Sequence, residues 1–337
     1  MSTFNADAAS YLQENFLVEG EQGLHQYHQR MIQGAIAADP SPKDLLPDQF
    51  RFALSSGFAY LGKARGSINL TSFVRDAMTE KATFDHFAVA GVVQPAMRFL
   101  DDMALKEKAE LSLSVDGLAE TLMLIGVDYR SYSGRRIAAG IMRTIRDECF
   151  DAAIRLTVER GPNPSLNVEQ YLSEGYGKTL PSDFKDDIRR FGLRYKTILN
   201  VSSSAVAPVV FYNGVSPGFL PPPNWMYTWT LQNSVGRVWY IKTTNPVYAL
   251  LGEGVENLHA HCKTALDLDV EDYHQMVEAV VKFVDGIVEN PETFYTNQLN
   301  RTLSNVAYPA NSGPVANDAG QLQRVWNTIT GGRWATA

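Results

Sequence analysis

The densest group of potential metal ligands in this sequence is His259, His261 and Cys262. On a helix His259 and His261 point about 200° apart while His259 and Cys262 share a face, so only two ligands converge. The segment reads as a polar helix face, and no metal site is assigned. Ser202, Ser203 and Ser204 follow a run, Lys196–Val201, that predicts a strand; backbone N–H groups exposed there can cradle an anion, the alternative being a solvated polar turn. The chain's 2 cysteines, Cys149 and Cys262, are too few for a disulfide scaffold or a cage of three or four thiolates and read as reduced, packed thiols. A GxGxxG turn, a Walker loop and HExxH are all missing from the chain.

The elements that must position these groups alternate in type. Residues 7–37 predict two helices around the Gly20–Gly23 break, and Ala38–Asp48, with three prolines, a linker. Ser67–Val74 predicts a strand, Phe84–Met103 a helix, Glu110–Ser114 a short strand, and Ser114–Gly126 a helix ended by its glycine. A long helix over about 133–160 stops at Gly161-Pro162. After a helix over Pro181–Phe191 come strands over Lys196–Val201, Ala205–Tyr212, Met226–Leu231 and Arg237–Thr243, the last two a hairpin. The alternating aromatics Trp225, Tyr227, Trp229, Trp239 and Tyr240 suit a sheet face better than a nucleotide-stacking platform. Phe219–Pro223 reads as a rigid crossover, with a Pro-rich recognition segment as its alternative. Helices over about 256–267 and 270–289 precede a polar tail. There is no fixed-period repeat, and strands alternating with long helices mean an α/β layer or barrel.

Hydrophobic residues at 45% and charged residues at 20% describe an ordinary globular chain. A net charge of -7 lacks the basic footprint of a nucleic-acid binder, so no nucleic acid is expected as partner. No apolar run reaches the length of a spanning helix, and Met1–Ala9 lacks a signal-peptide pattern, so neither a membrane nor export is expected; the sequence predicts a cytoplasmic protein.

Gly66–Val74 (GSINLTSFV), Ser114–Tyr132 (SVDGLAETLMLIGVDYRSY), the long helix ending in Glu159-Arg160-Gly161-Pro162, and Leu180–Leu193 (LPSDFKDDIRRFGL) occur in one order. In that order and wording the sequence resembles the large subunit of adenosylcobalamin-dependent, class II ribonucleotide reductase. Thr197–Val201 into Gly214–Pro221 (GVSPGFLP) is similar to that family's segment after its phosphate loop. Lys263-Thr264-Ala265 and Tyr273–Ile287 resemble its late helices, and residues 9–35 its amino-terminal helical segment. The family fold is an α/β barrel of two five-stranded halves with a finger loop through its centre that carries a radical-forming cysteine. The resemblance jumps across Ala38–Asp48 from the amino-terminal helices to the finger. It therefore implies an α/β fold, a ribonucleotide-reductase-like partial (half) barrel with amino-terminal helices. The implied organisation is a helical segment and linker over 1–48, the half-barrel over 49–290 and a polar tail over 291–337.

Carried over residue by residue, the family's Asn-Pro-Cys-Gly-Glu signature puts Phe50, Phe52 and Leu54 at the Asn, the radical Cys and the Glu. Its reducing cysteine falls at Lys63, and its phosphate-binding turn at Ser203–Val206, where no glycine lets a phosphate reach the backbone. No cysteine stands between Met1 and Glu148, so no catalytic residue is assigned. The resemblance implies adenosylcobalamin as cofactor; the residues themselves assign none. The expectation is a non-catalytic structural or regulatory partner subunit, in a homo-oligomer or with a full-length ribonucleotide-reductase-like subunit, because an open half-barrel leaves an apolar face over 197–212 to cover. The alternative is a diverged enzyme acting on a nucleotide or other phosphorylated metabolite at a remodelled barrel mouth, with Lys63, Ser202, Ser203, Ser204 and Asn213 as candidate ligand-binding residues.

Overall fold

Apolar residues at helical spacing set the first layer. In the computed structural model, which describes residues 6–251 and 260–288, helix α1 (Ala6–Asn15) buries Tyr11 and Leu12, and α2 (Leu24–Ala38) buries Tyr27, Met31, Ile32 and Ala35. These are the two helices expected around Gly20–Gly23. The expected linker is shorter than its prolines suggest, because α3 (Leu46–Ser55) begins inside it with a proline in its first turn. Leu46, Phe50, Ala53 and Leu54 form its inward stripe.

Strand β1 (Phe58–Gly62) turns through Lys63 and Ala64 into antiparallel β2 (Arg65–Asn69). The strand expected over Ser67–Val74 thus starts earlier and stops at Asn69, whose side chain accepts the Thr71 N–H and tightens Leu70–Phe73 into a 3-10 turn. Short strands β3 (Val74–Arg75) and β4 (Thr83–Phe84) pair ahead of α4 (His86–Glu107), which Asp85 caps through the Phe87 and Ala88 N–H groups. Strand β5 (Ser112–Asp116) lies parallel to β2, giving the order β1-β2-β5. Two isolated parallel bridges, Leu113 to Leu199 and Val201 to Val288, extend that order. Lys196–Val201 is therefore an extended lane rather than a full strand, and among the described residues the sheet does not close.

Helix α5 (Leu118–Ile125) starts after Gly117, not at Ser114. Helix α6 (Tyr132–Arg160) runs beside α4, and α7 (Val168–Ser173) and α8 (Ser182–Phe191) follow. In the main core the Phe99 ring sits 5.2, 5.8 and 5.3 Å from Phe50, Phe58 and Tyr60. At its rim Arg160 is a buried cation paired with Asp39, Asp101 and Asp102.

The expected strand over Ala205–Tyr212 is a helix instead, α9 (Val206–Val210), closed by Val209 N–H to the Ala205 carbonyl (2.9 Å) and Phe211 N–H to Ala207 (2.9 Å). An apolar run this short suits either period, and burial on a second core decides it. There Val210 packs with Trp229 and Ile241 of the hairpin β6 (Met226–Gln232) and β7 (Val238–Thr244), under α1. Tyr227, Trp229 and Trp239 point into this core, as the alternation predicted, whereas Tyr240 faces outward. Phe219–Pro223 is a buried crossover.

Helix α10 (Pro246–Leu251) was not expected. Of the helix expected over 256–267, residues 256–259 lie outside the described residues; 260–264 are turn and coil, and Ala265–Asp267 is a 3-10 turn. Helix α11 (Val270–Val281) is shorter than expected, and residues 289–337, with the proposed tail, lie outside the described residues. Among the described residues no helix is long and apolar enough to cross a membrane.

Candidate functional site

Strand alternation gives the parallel lanes one apolar and one polar side. Ile68, Leu113 and Val115 are fully buried beneath the helices, whereas Arg65 with Ser112, Ser67 with Ser114, and Asn69 with Asp116 pair in register on the other side. Asn200 donates to Ser112 Oγ (2.9 Å) and the Ser202 N–H to Ser114 Oγ (3.2 Å), so the next lane adds polar groups to the same side.

Two buried carboxylates stand at the carboxyl ends of these lanes, where open parallel sheets hold ligands. Asp116, the last residue of β5, accepts from Ser67 Oγ and from the Gly218 N–H (3.0 Å). Glu120, in the first turn of α5, accepts from the Ser216 N–H (2.9 Å) and Asn245 Nδ2 (2.9 Å), and its other oxygen meets Ser216 Oγ at 2.6 Å. Burial is the main cause that pushes Asp116 up to about 7 and Glu120 upward as well. The segment 212–220 roofs both: Tyr212 Oη donates to the Ser67 carbonyl (2.6 Å), and the Gly117 N–H to the Ser216 carbonyl (2.8 Å). Sequence reasoning passed over this pair. Its signal was the single charged side chain of the Leu118–Ile125 helix.

The sequence candidates are not brought together. Half-buried Ser202 and Ser203 border a cavity of about 10 Å³ with Pro217, Gly218 and Phe219, room for a single water rather than a nucleotide. Ser204 is exposed, its N–H bonded to Ser202 Oγ (3.1 Å) and its Oγ to the Val206 N–H (3.4 Å). Asn213 is exposed in the left-handed region (φ 56). Exposed Lys63 sits in the β1–β2 turn at the amino end of the parallel lanes, a strand length of about 15 Å from the serines. Phe50, Phe52 and Leu54 belong to α3, with Phe50 and Leu54 in the core and Phe52 51% exposed; the expected finger is here an outer helix. His259 lies outside the described residues. His261 Nε2 meets the Met123 carbonyl (3.1 Å) from a turn, and no group of three or more His, Cys, Asp or Glu among the described residues is placed to hold a metal.

Residues 65–247 match the family described as "Ribonucleotide reductase, barrel domain". The match covers more than half of the chain, and the chain belongs to that family. Among its relatives are the vitamin B12-dependent ribonucleoside-diphosphate reductases of Mycobacterium tuberculosis and Thermoplasma acidophilum, 32% and 31% identical over 123 residues. Each alignment takes in 33% of this chain, and the chain spans 17% and 16% of the length of these two relatives.

The cofactor implied by the resemblance, adenosylcobalamin, supplies a radical that a thiol at the barrel centre must take up. Cys149 faces the core from α6 and Cys262 follows a turn; both are buried, and burial raises both thiols, Cys262 to about 11. Neither stands among the polar groups of the sheet, so the residues present do not fit that chemistry.

Proposed function

We propose that this chain is a ribonucleotide-reductase-like protein that performs no ribonucleotide reduction itself and serves as a structural or regulatory subunit bound to another chain. The placement of the thiols carries the reading: both are buried, and the positions that correspond to the radical and reducing cysteines are Phe52 and Lys63. We read β1, β2, β5 and the lanes at 198–201 and 288 as a half-barrel. Its partner is a second copy or a full-length ribonucleotide-reductase-like subunit. A bare apolar sheet face is no longer the argument, since Ile198, Leu199 and Val201 are covered within the chain and Val206–Val210 is helical. Support comes instead from the outer face of the β6–β7 hairpin, where Tyr240 (66%) and Val238 (39%) are exposed two residues apart on one strand and Met226 (60%) is exposed at the far end of the same face, beyond Thr228 and Lys242. Two unpaired, buried thiols suit the reducing cytoplasm, where we place the protein.

The competing reading, an enzyme acting on a nucleotide or other phosphorylated metabolite, is favoured by the perturbed carboxylates Asp116 and Glu120. The small cavity beside the serines argues against it. The experiment combines light scattering after size-exclusion chromatography with an assay for deoxyribonucleotide formed in the presence of adenosylcobalamin and dithiol. We expect an oligomer, or a complex with a full-length reductase subunit, and no product. Product from the isolated chain sinks the non-catalytic reading; a monomer that captures no reductase subunit sinks the partner role.

A further inference from the structure

The parallel lanes begin at one edge of the sheet, and cations collect there. Lys63 stands in the β1–β2 turn, Arg65 opens β2, Lys106 and Lys108 close α4 ahead of β5, and Lys196 leads into the 197–201 lane. Backbone contacts bring these segments together. The Ser112 N–H donates to the Ala64 carbonyl (3.0 Å), Arg65 pairs in register with Ser112, and the Leu113 N–H donates to the Ile198 carbonyl (2.9 Å). A lane spacing of about 4.8 Å puts the first and third lanes about 10 Å apart.

All five cations are exposed, and none forms an ion pair among the described residues. Lys106 lies against Gly34 of α2; the other four project from the edge. Three acids share it. Glu107 accepts from Tyr60 Oη (2.6 Å) and the Ala64 N–H (2.9 Å), buried Asp285 accepts from the Ile198 and Leu199 N–H groups (2.9 and 2.7 Å), and Glu110 is exposed. Arg194, beside Lys196, is spent on Asp101 (2.8 Å). The edge is thus positive on a chain of net charge -7. Near 0.1 M salt, charges beyond about 10 Å are largely screened, so an anion at this edge meets the local excess and not the overall charge.

The dipole of α4 explains Lys106 and Lys108 at its carboxyl end, but not Lys63, Arg65 and Lys196. Lys63 even holds a left-handed backbone (φ 54), where glycine or asparagine is the less strained choice. Four of the five are lysines, point charges that suit scattered carboxylates better than the planar forks that clasp phosphate. Tyr195, the one aromatic side chain within 61–65, 105–112 and 194–197, is tied through its hydroxyl to Asp101 (2.6 Å), so these segments offer no platform for stacked bases.

Building on the partner reading above, we propose that this edge docks an acidic segment of the other chain, whose carboxylates meet Lys63, Arg65, Lys108 and Lys196. Fluorescence anisotropy of the full chain with a labelled octaglutamate peptide, an octaglutamine peptide and an oligothymidylate tests this. Octaglutamate should bind and octaglutamine should not. The variant Lys63→Asn/Arg65→Ala/Lys108→Asn/Lys196→Ala should weaken octaglutamate about tenfold; asparagine tolerates the left-handed backbone at both lysines. The variant Lys81→Ala/Arg136→Ala/Arg143→Ala/Lys178→Ala, an equal loss of charge at exposed cations on other segments, should weaken it by less than about threefold. Circular dichroism melts check each variant, and the pair Lys63→Asn/Lys196→Ala stands in if the fourfold edge variant melts early. Equal loss in the two fourfold variants, no binding of octaglutamate at millimolar concentration, or tighter binding of the oligothymidylate overturns the proposal. Each of these leaves the partner reading itself to the light-scattering measurement, where a complex formed equally well by the fourfold edge variant would show a partner docked elsewhere.

Discussion

Ser216 Oγ lies 2.6 Å from a Glu120 carboxylate oxygen and also within hydrogen-bond contact of the Leu220 carbonyl. A hydroxyl has one proton, and the Leu220 carbonyl can only accept. If Ser216 donates to Leu220, the contact to Glu120 holds only when the carboxyl itself donates. Both contacts are hydrogen bonds at once only in the protonated form, the form that the burial of Glu120 favours. In that form the acid ties the roofing segment to α5 without leaving a charge in the interior.

A glutamine reproduces this pattern atom for atom: its carbonyl accepts from Ser216 N–H and Asn245, and its amide donates to Ser216 Oγ. Glu120→Gln should thus change stability by less than about 1 kcal/mol, whereas Glu120→Ala, which strands the buried Ser216 N–H and Asn245 amide, should cost roughly 2–4 kcal/mol. Urea unfolding of the two variants decides the point. Equal, large losses in both would mean that the carboxylate is ionised.

Asp116 gives the fold a pH dependence of opposite sign to that of an ion-paired carboxylate. Its folded value, raised from 3.8 to about 7 chiefly by burial, makes the native state bind the proton more tightly than the unfolded chain. The stabilisation is complete below the unfolded value and is lost as pH rises through about 7. Stability should therefore fall between about pH 4 and pH 7, by at most about 1.4 kcal/mol per pH unit for one proton. Asp102, also raised to about 7 by burial despite Arg160, acts with the same sign, so Asp116→Asn should flatten the slope without abolishing it. Melting temperatures of both proteins across that range provide the measurement. An unchanged slope in the variant would remove Asp116 from the account.

The long elements were legible because their apolar stripes repeat over many turns: α4, α6 and α8 lie within a few residues of expectation, as do the strands of the hairpin. The short ones were not. In α3 the stripe Leu46, Phe50, Ala53 and Leu54 was present in the sequence, but reading this stretch as a finger loop hid it. In α9 the residues Val206–Val210 suit either period, and only contact with Trp229 and Ile241, far along the chain, settles the matter. Val210→Asp would unfold the protein from within and say nothing about an interface. The serine candidates followed from their place after a lane, which is correct; what no local pattern reveals is that 212–220 folds back to fill the space before them.

Gly214 shows how tightly that roof is fitted. It has φ +85, and a Cβ there would stand 1.9 Å from Thr243 Cγ2, while Tyr227 Oη donates to its carbonyl (2.6 Å). Gly214→Ala should destabilise by roughly 2–4 kcal/mol, about 1 kcal/mol of it from the left-handed backbone and the remainder from the clash. Adding Thr243→Ser removes the clashing methyl and should recover the second part only. Thermal melts of the single and double variants test the division, and a double variant no better than the single would place the whole cost in the backbone.

The thiols provide a test of the family's chemistry that does not depend on finding a partner. Cys149 and Cys262 are buried and their thiols are held above the ordinary value by that burial, so an aromatic disulfide reagent should react with neither in the native protein and with both after denaturation. Phe52→Cys puts a thiol on the outer face of α3, where the phenylalanine is 51% exposed, and native protein should then show one reactive group. That thiol occupies the position that corresponds to the radical cysteine by resemblance, yet it stands on an outer helix. Lys63, where the reducing partner would be, lies in the β1–β2 turn at the amino end of the parallel lanes, away from Asp116 and Glu120. Reactivity should appear without deoxyribonucleotide formation in the presence of adenosylcobalamin. Product formed by this variant would show that α3 can move its tip to the polar side of the sheet, and the non-catalytic reading would then fail on its central physical point.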